Sequence, residues 1–249
     1  MFPGRVEVLY RDGRVIVVDK RSGTSVHRGW DAGRDTVMHQ LRARLGQWVY
    51  PVHRLDRATS GALVVALDRE AASKLAASFR EGRVEKEYLA LVRGVIDAPG
   101  VVDWPLPAHG GRERVPARTE YEPIGVARDR YTLVRLRPQA GRRHQLRRHM
   151  KHLSRPILGD TTYGDGRENR KLRAEIGLHR LALHASWIAF PHPETGARIE
   201  ARAPLPPDLR EPLERLGIPS ELLAALSAPR EAPGPRNDVS PLASPVGSR

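Results

Sequence analysis

The chain has 249 residues, 40% of them hydrophobic, which suits one large domain or two small ones with ample material for a core. It carries a formal charge of +13 and no cysteine, which excludes disulfides, thiolate metal sites, iron–sulfur clusters and cysteine nucleophiles. No apolar run approaches a membrane span, and Met1-Phe2-Pro3-Gly4 begins nothing like a signal peptide, so a cytoplasmic protein is expected.

In chain order, Val15–Val18 reads as a buried strand ending at Asp19-Lys20, the first strand expected from about residue 14. Residues 36–46 read as a helix capped by Thr36, with Val37, Leu41 and Leu45 on one face. Ala62–Leu67 suits a strand. A helix follows, with Asp68 as N-cap, Ala72, Leu75, Ala76 and Phe79 as its apolar stripe and Gly82 as its stop. Val84–Val92 and Tyr131–Arg137 suit strands, the former placing Lys86 and Tyr88 on one face. The segment 142–153 reads as a helix with Leu146, Met150 and Leu153 buried and a basic row of Arg143, Arg147 and Lys151 beside them. Leu181–Phe190 and Ala197–Ala203 pair across the turn at Pro193–Gly196, and short helices are expected near 207–216 and 219–226. From Ala228 onward five prolines sit among Ser, Gly and Arg, and that tail is expected to be disordered.

Strands and helices intersperse without a βαβ rhythm, which predicts an α+β fold. The expected organisation is one domain over 1–205, a helical extension over 206–227 and a tail over 228–249. The tail contributes only +1 of the charge, leaving +12 on the body. Such a surplus favours a polyanion, usually nucleic acid, although an arginine-rich solvated surface has the same composition.

Two segments are dense in groups that do chemistry. His53-Arg54-Leu55-Asp56-Arg57-Ala58-Thr59-Ser60-Gly61 packs four ionisable residues into five positions ahead of a strand. Thr59, Ser60 and Gly61 suit a tight polar loop whose backbone donors orient a carboxylate. The same residues also fit a plain turn in which Asp56 pairs with Arg54 or Arg57. The second segment is Gly141-Arg142-Arg143-His144-Gln145-Leu146-Arg147-Arg148-His149, suited to gripping phosphates or to pairing with a carboxylate from elsewhere. A solvated basic helix face has that pattern too, but Arg147 lies next to the Leu146 stripe, where an arginine needs a partner. His149 and His152 are three apart, yet no HExxH pattern is present, so no metal is expected. His109–Arg118 suits an exposed RNA-contacting loop or a disordered insertion.

These motifs together resemble the RluA family of pseudouridine synthases. The resemblance rests on His53-Arg54-Leu55-Asp56-x-x-Thr59-Ser60-Gly61, Glu87-Tyr88 after Lys86, and Gly141-Arg142-x-His144-Gln145-Leu146-Arg147-x-His149. Further on, Pro156–Asp160, Leu183-His184-Ala185 and Pro191-His192-Pro193-x-Thr195-Gly196 extend it over roughly residues 6–203. Val26-His27-Arg28-Gly29-Trp30, Arg147-Arg148-His149 and the run from Gly159 to Arg170 resemble the family's tRNA pseudouridine synthase C branch, which modifies a uridine in the T stem. Arg21 and Ala58 stand where the family usually has proline.

The resemblance implies a mixed, mainly antiparallel sheet flanked by helices around a basic cleft. It implies Asp56 as the catalytic carboxylate, as nucleophile or base, with Arg147 pairing to keep it charged and directed. Tyr88 would pack on the target base, and Arg54 would fill the space left by the flipped uridine. Arg57, Arg143, His144, Arg148 and Lys151 would bind RNA, with a salt-dependent affinity. No cofactor is implied, the expected partner is tRNA or else ribosomal RNA, and a monomer is expected. No S4-like domain is recognised ahead of the first strand, which leaves RNA capture to the catalytic domain. A catalytically silent RNA-binding module of the same fold is the reading from a different class.

Overall fold

The computed structural model describes residues 6–27, 35–108, 111 and 113–228. The proline-rich tail, the Arg28-Gly29-Trp30 part of the N-terminal motif and residues 109, 110 and 112 lie outside them.

The chain begins with strands β1 (Glu7–Arg11) and β2 (Val15–Lys20), which pair antiparallel. The first strand therefore precedes residue 14. A register shift between Val8 and Tyr10 breaks its alternation, so the period-2 signal is lost there. Helix α1 (Val37–Leu45) has Thr36 as N-cap, whose side chain accepts from the His39 N–H, and a left-handed Gly46 at its end. Strands β3 (Tyr50–Pro51) and β4 (Ser60–Ala66) bracket the first polar cluster. Helix α2 (Arg69–Arg80) is capped by Asp68 as expected, but its buried face is Ala71, Leu75 and Ser78. Ala72 and Phe79 lie on the flank, so the helix is rotated relative to the apolar stripe. Ser78 is tolerated inside because its hydroxyl donates to the Lys74 carbonyl.

Next come β5 (Glu85–Arg93), β6 (Gly100–Asp103), a hairpin of β7 (Leu106–Pro107) and β8 (Arg114–Val115), then β9 (Arg118–Ala127) and β10 (Tyr131–Pro138). Within the basic stretch 109–118, Arg114 and Val115 thus pair with Pro107 and Leu106, and the Arg114 guanidinium lies 4.4 Å over Trp104. Helix α3 (Gln145–His152) starts three residues later than its pattern suggests. His144 has a left-handed φ of 54°, which cannot continue an α-helix. Arg143 therefore precedes the helix and, like Lys151, is exposed, while Arg147 turns inward, so no basic row forms.

Helix α4 (Gly166–Ile176), strands β11 (Leu183–Pro191) and β12 (Arg198–Arg202), and helices α5 (Pro207–Leu216) and α6 (Ser220–Ser227) complete the described chain. Among the described residues ten strands form one sheet, in the order β1-β2-β4-β11-β5-β10-β9-β6, with β3 beside β4 and β12 beside β11. Every pairing is antiparallel except β4 with β11, where only Ser60 with His184 and Gly61 with Ala185 are in register. The α+β, mainly antiparallel architecture is the expected one.

The helices bury apolar stripes on this sheet. Leu146 and Met150 of α3, Leu172 and Ile176 of α4, and Leu209, Leu213 and Leu223 of α5 and α6 join one core with β5 and β10. Helix α1 packs its Val37, Met38 and Leu41 against Ile16, Leu63 and Val65, and α2 covers the opposite face of β2 and β4. Burial on both faces explains why β4 is a continuous apolar run rather than an alternating one. No helix among the described residues is long and apolar enough to cross a membrane.

Candidate active site

Asp56 sits in the loop between β3 and β4, whose shape is fixed from three sides. The Thr59 N–H donates to the Asp56 carbonyl at 3.0 Å, closing the turn. Below it, the buried Lys20 ammonium donates to the carbonyls of Arg21, Thr24 and Arg57. Burial, then the nearby Arg180, brings the Lys20 pKa down to about 7. At the far end Gly61, with φ of 114°, lies so close to β11 that a Cβ would meet the Ala185 carbonyl oxygen at 2.2 Å.

The Asp56 side chain is part-exposed and faces Arg147. Arg147 Nη1 donates to Asp56 Oδ2 at 3.2 Å across 91 positions of sequence. Its remaining nitrogens go to Asp160: Nε to Oδ2 at 2.7 Å and Nη2 to Oδ1 at 2.8 Å. Burial disfavours the Arg147 charge, but Asp160 and then Asp56 outweigh it and raise the pKa above its ordinary value. The Asp160 carboxylate is fully enclosed and also accepts the N–H groups of Thr162 and Tyr163. Burial pushes its pKa up, yet Arg147 and these two amides more than compensate and hold it below the usual carboxylate value. Asn169 bridges the same loop, taking the Gly159 N–H and donating to the Asp160 carbonyl.

His144 completes the surroundings of Asp56. Its Nε2 lies 3.8 Å from Asp56 Oδ1 and its Nδ1 is 3.1 Å from the Tyr163 hydroxyl. Burial lowers the His144 pKa, with Asp56 opposing and the neighbouring arginines assisting. The donor that orients Asp56 is thus a side chain, Arg147, rather than the loop amides that the Thr-Ser-Gly run suggests, with His144 close by without a hydrogen bond to it. Ser60 is turned away from the cleft, between His184 Nδ1 at 2.8 Å and Arg180 Nη2 at 2.6 Å.

Asp56, His144 and Arg147 line a cleft of about 470 Å³, together with Arg54, Lys86, Tyr88, Phe79 and Leu146. Tyr88 comes from β5, opposite Ala185 and Leu136 in the sheet. Burial, then the Asp56 charge, pushes its phenol pKa above the ordinary value, so Tyr88 is protonated at neutral pH. Lys86, two residues earlier on the same face, donates to the Ala140 carbonyl at 3.0 Å, and burial brings it down to about 8. The expected trio of Asp56, Tyr88 and Arg147 is therefore brought into one cleft, with Arg54 exposed on its wall.

The expected RNA-binding residues divide. His144 lines the cleft, whereas Arg148, which donates to the Tyr163 hydroxyl at 2.9 Å, and the exposed Arg143 and Lys151 do not. Arg57 points away from Asp56, donating to the Gly23 carbonyl and lining a different cavity. His149 is fully buried, its ring nitrogens on Thr119 Oγ1 and the Trp104 carbonyl, and His152 stacks on Trp104 at 4.2 Å. Among the described residues no group of three or more potential metal ligands occurs.

Two positions escaped the reading of single motifs. Asp160 closed the family-like run Pro156–Asp160, but nothing in that run pointed to its partner, which lies 13 residues away. Lys86 shared a strand face with Tyr88, which was the available sign that it reaches the same cleft.

Comparison with known proteins converges on one group. Residues 14–152 match the family described as RNA pseudouridylate synthase. The tRNA pseudouridine synthase C of Pasteurella multocida is 44% identical over 216 residues, spanning 78% of this chain and 89% of that protein. Its Vibrio vulnificus counterpart is 40% identical over 242 residues, spanning 88% and 99%. Among solved structures, human RNA pseudouridylate synthase domain containing 4 has a TM-score of 0.72 at 27% identity, covering 84% of this chain and 92% of that one. Human RNA pseudouridylate synthase domain containing 1 has a TM-score of 0.69 at 28% identity, covering 94% and 100%.

Proposed function

As this chain belongs to the RluA-type RNA pseudouridylate synthase family, we propose that it converts a uridine in the T stem of tRNA to pseudouridine, with Asp56 as its catalytic carboxylate. The observation that carries the site assignment is the Asp56 carboxylate at the cleft wall, held by Arg147 and shared with a buried tyrosine. The tRNA substrate is taken from the relatives, which are tRNA pseudouridine synthases at about two-fifths identity over most of the chain.

The chemistry asked of the cleft is modest. The N1–C1′ bond breaks, the uracil rotates, C5 bonds to C1′, and the proton on C5 is lost while N1 gains one. Atoms and electrons balance within the nucleotide, so neither a redox cofactor nor water is consumed. Asp56 either adds to C1′ or removes the C2′ proton, and both routes need a carboxylate aimed at the sugar. Arg147 supplies that aim. A cleft of about 470 Å³ accommodates one extruded nucleotide and not a duplex, so the target base leaves its stack before reaction. Arg54 on the cleft wall suits the vacated space.

Tyr88 enters the reaction protonated, and its ring supplies a face against which the uracil packs. To accept the C5 proton it must first give up its own, and N1 of the rotated base is the natural recipient. Arg143, Arg148 and Lys151 suit phosphate contacts around the cleft mouth. A tRNA substrate supports the expected cytoplasmic location.

The test is mass-spectrometric mapping of pseudouridine in tRNA and ribosomal RNA from cells with and without this protein. Loss of one T-stem pseudouridine in tRNA is the expected result. A loss confined to ribosomal RNA overturns the substrate, and unchanged RNA of both kinds overturns the activity.

A further inference from the structure

Behind the Asp56 loop lies a second cavity of about 310 Å³, separated from the catalytic cleft by the loop itself. Asp56 and Thr59 line the first, while the intervening Arg57 and Ala58 line the second. The opposite wall comes from Gly159 and Thr161, on either side of Asp160, and from Arg173 and His179 around the end of α4. We infer that this cavity is a second binding site for the substrate RNA, holding a backbone phosphate of the strand that flanks the target nucleotide. The inference rests on the reading of the protein as an RNA pseudouridine synthase.

Three observations support it. First, the lining holds Arg57, Arg173, His179 and Arg180 and no carboxylate. Second, among the described residues two of these cations lack a carboxylate partner, as do Arg54 and Arg143 beside the catalytic cleft, whereas Arg180 and other surface arginines are paired. Arg14, Arg93, Arg128, Arg130, Arg198 and Arg210 each bind a carboxylate within 4 Å. Arg57 and Arg173 have none among the described residues, and Arg57 uses only its Nε, on the Gly23 carbonyl. An unpaired guanidinium offers a planar pair of donors, the geometry that phosphate oxygens accept. Arg173 also sits in the last turn of α4, where a cation suits the helix dipole. That explains its place in α4 but not its convergence with Arg57 from a separate loop.

Third, the floor admits a ligand close to the backbone at Gly23, which has positive φ and open space where a side chain would stand. Gly159 is closed instead, since a Cβ there would meet the Arg180 carbonyl oxygen at 1.9 Å. Arg180 is already committed to Asp208 and Ser60, so the free donors of the cavity are those of Arg57 and Arg173. The two loops that would hold the phosphate carry Asp56 and Asp160 on their other side, so RNA bound there straddles the catalytic loop. One phosphate would thus fix the register of the strand while the neighbouring nucleotide enters the cleft.

The test uses the full-length protein and an unmodified tRNA transcript made in vitro. The variants are Arg173→Ala and Arg57→Ala/Arg173→Ala, with affinity measured across a salt series and pseudouridine formation followed in parallel. The double variant should bind about ten-fold more weakly at moderate salt. The slope of log affinity against log salt should flatten by about one for each cation removed. A thermal melt matching the parent excludes unfolding as the cause, since both side chains are exposed. Unchanged affinity and slope, with the unaltered protein still modifying the transcript, overturn the second site alone. If the unaltered protein binds the transcript but makes no pseudouridine there or in ribosomal RNA, the functional reading fails instead, and the salt slopes still decide the groove.

Discussion

Arg147 commits two nitrogens to Asp160, at 2.7 and 2.8 Å, and only one to Asp56, at 3.2 Å. Asp160 is therefore the anchor of the guanidinium and Asp56 its working contact. A buried ion pair is tolerated only when every lone pair and proton is used, and the amides of Thr162 and Tyr163 complete that set. Asp160→Asn removes the anchoring charge and leaves Arg147 buried with one part-exposed carboxylate. We expect a loss of about 3 kcal/mol in urea unfolding and a fall in single-turnover rate of at least about ten-fold. A variant with the parent's unfolding midpoint and rate removes Asp160 from the positioning role.

Asp56→Asn keeps the shape of the loop, because the contacts that fold it run through backbone carbonyls and Lys20. Pseudouridine formation should drop below detection while affinity for a tRNA transcript stays within about two-fold. Mass spectrometry of digested RNA and filter binding read the two separately. Turnover near the parent's would refute the assignment.

Acid should destabilise the fold in a defined window. His184 is fully buried, with its nitrogens on Ser60 and the Ala203 carbonyl, and burial takes its pKa from 6.5 to about 4. Between those values the unfolded chain binds a proton that the folded one refuses. The contribution is complete above about pH 6.5 and is lost as pH falls toward 4, amounting to about 3 kcal/mol. His53, His144 and His149 are shifted the same way, and Asp160 extends the loss below pH 3.8. Unfolding free energies at several pH values should show this decline, shallower in His184→Gln. An identical slope in the variant discounts the histidine.

Gly61→Ala places a methyl group 2.2 Å from the Ala185 carbonyl oxygen at a φ of 114°. Neither the backbone nor that neighbour can give way without parting β4 from β11. The expected cost is about 3 kcal/mol or more, with loss of activity, read by thermal unfolding and by soluble yield. A variant as stable as the parent contradicts the close approach.

The elements that were legible in the sequence are those with a clear apolar stripe, a continuous apolar run or a turn signal between apolar segments. Helix α1 with its Thr36 cap, the apolar β4 and the β11–β12 hairpin are of this kind. Strand β9 was not legible, since Pro123 and Gly125 interrupt a polar sequence. The structure accommodates the proline at a bulge, where the register moves from Gly125 opposite Leu133 to Pro123 opposite Val134. Helix α4 was hidden because one of its three buried positions is Glu168. That carboxylate is satisfied by the Tyr131 hydroxyl and Arg130, partners that become neighbours only after folding. At the site, Asp56 and Arg147 stood out in their own motifs. The role of Asp160 did not, although it closed a quoted run, because that role lies in a pairing between its loop and helix α3 that no local pattern shows.

The central parallel contact has a consequence for assembly. Asp56 is delivered by the N-terminal wing of the sheet and Arg147 by a helix resting on the other wing, and the two wings meet along a seam only two residue pairs long. The reactive carboxylate therefore finds its guanidinium only after both halves have docked correctly. The ion pair acts as a latch across that seam, and a chain that closes it wrongly is inert before it can touch RNA.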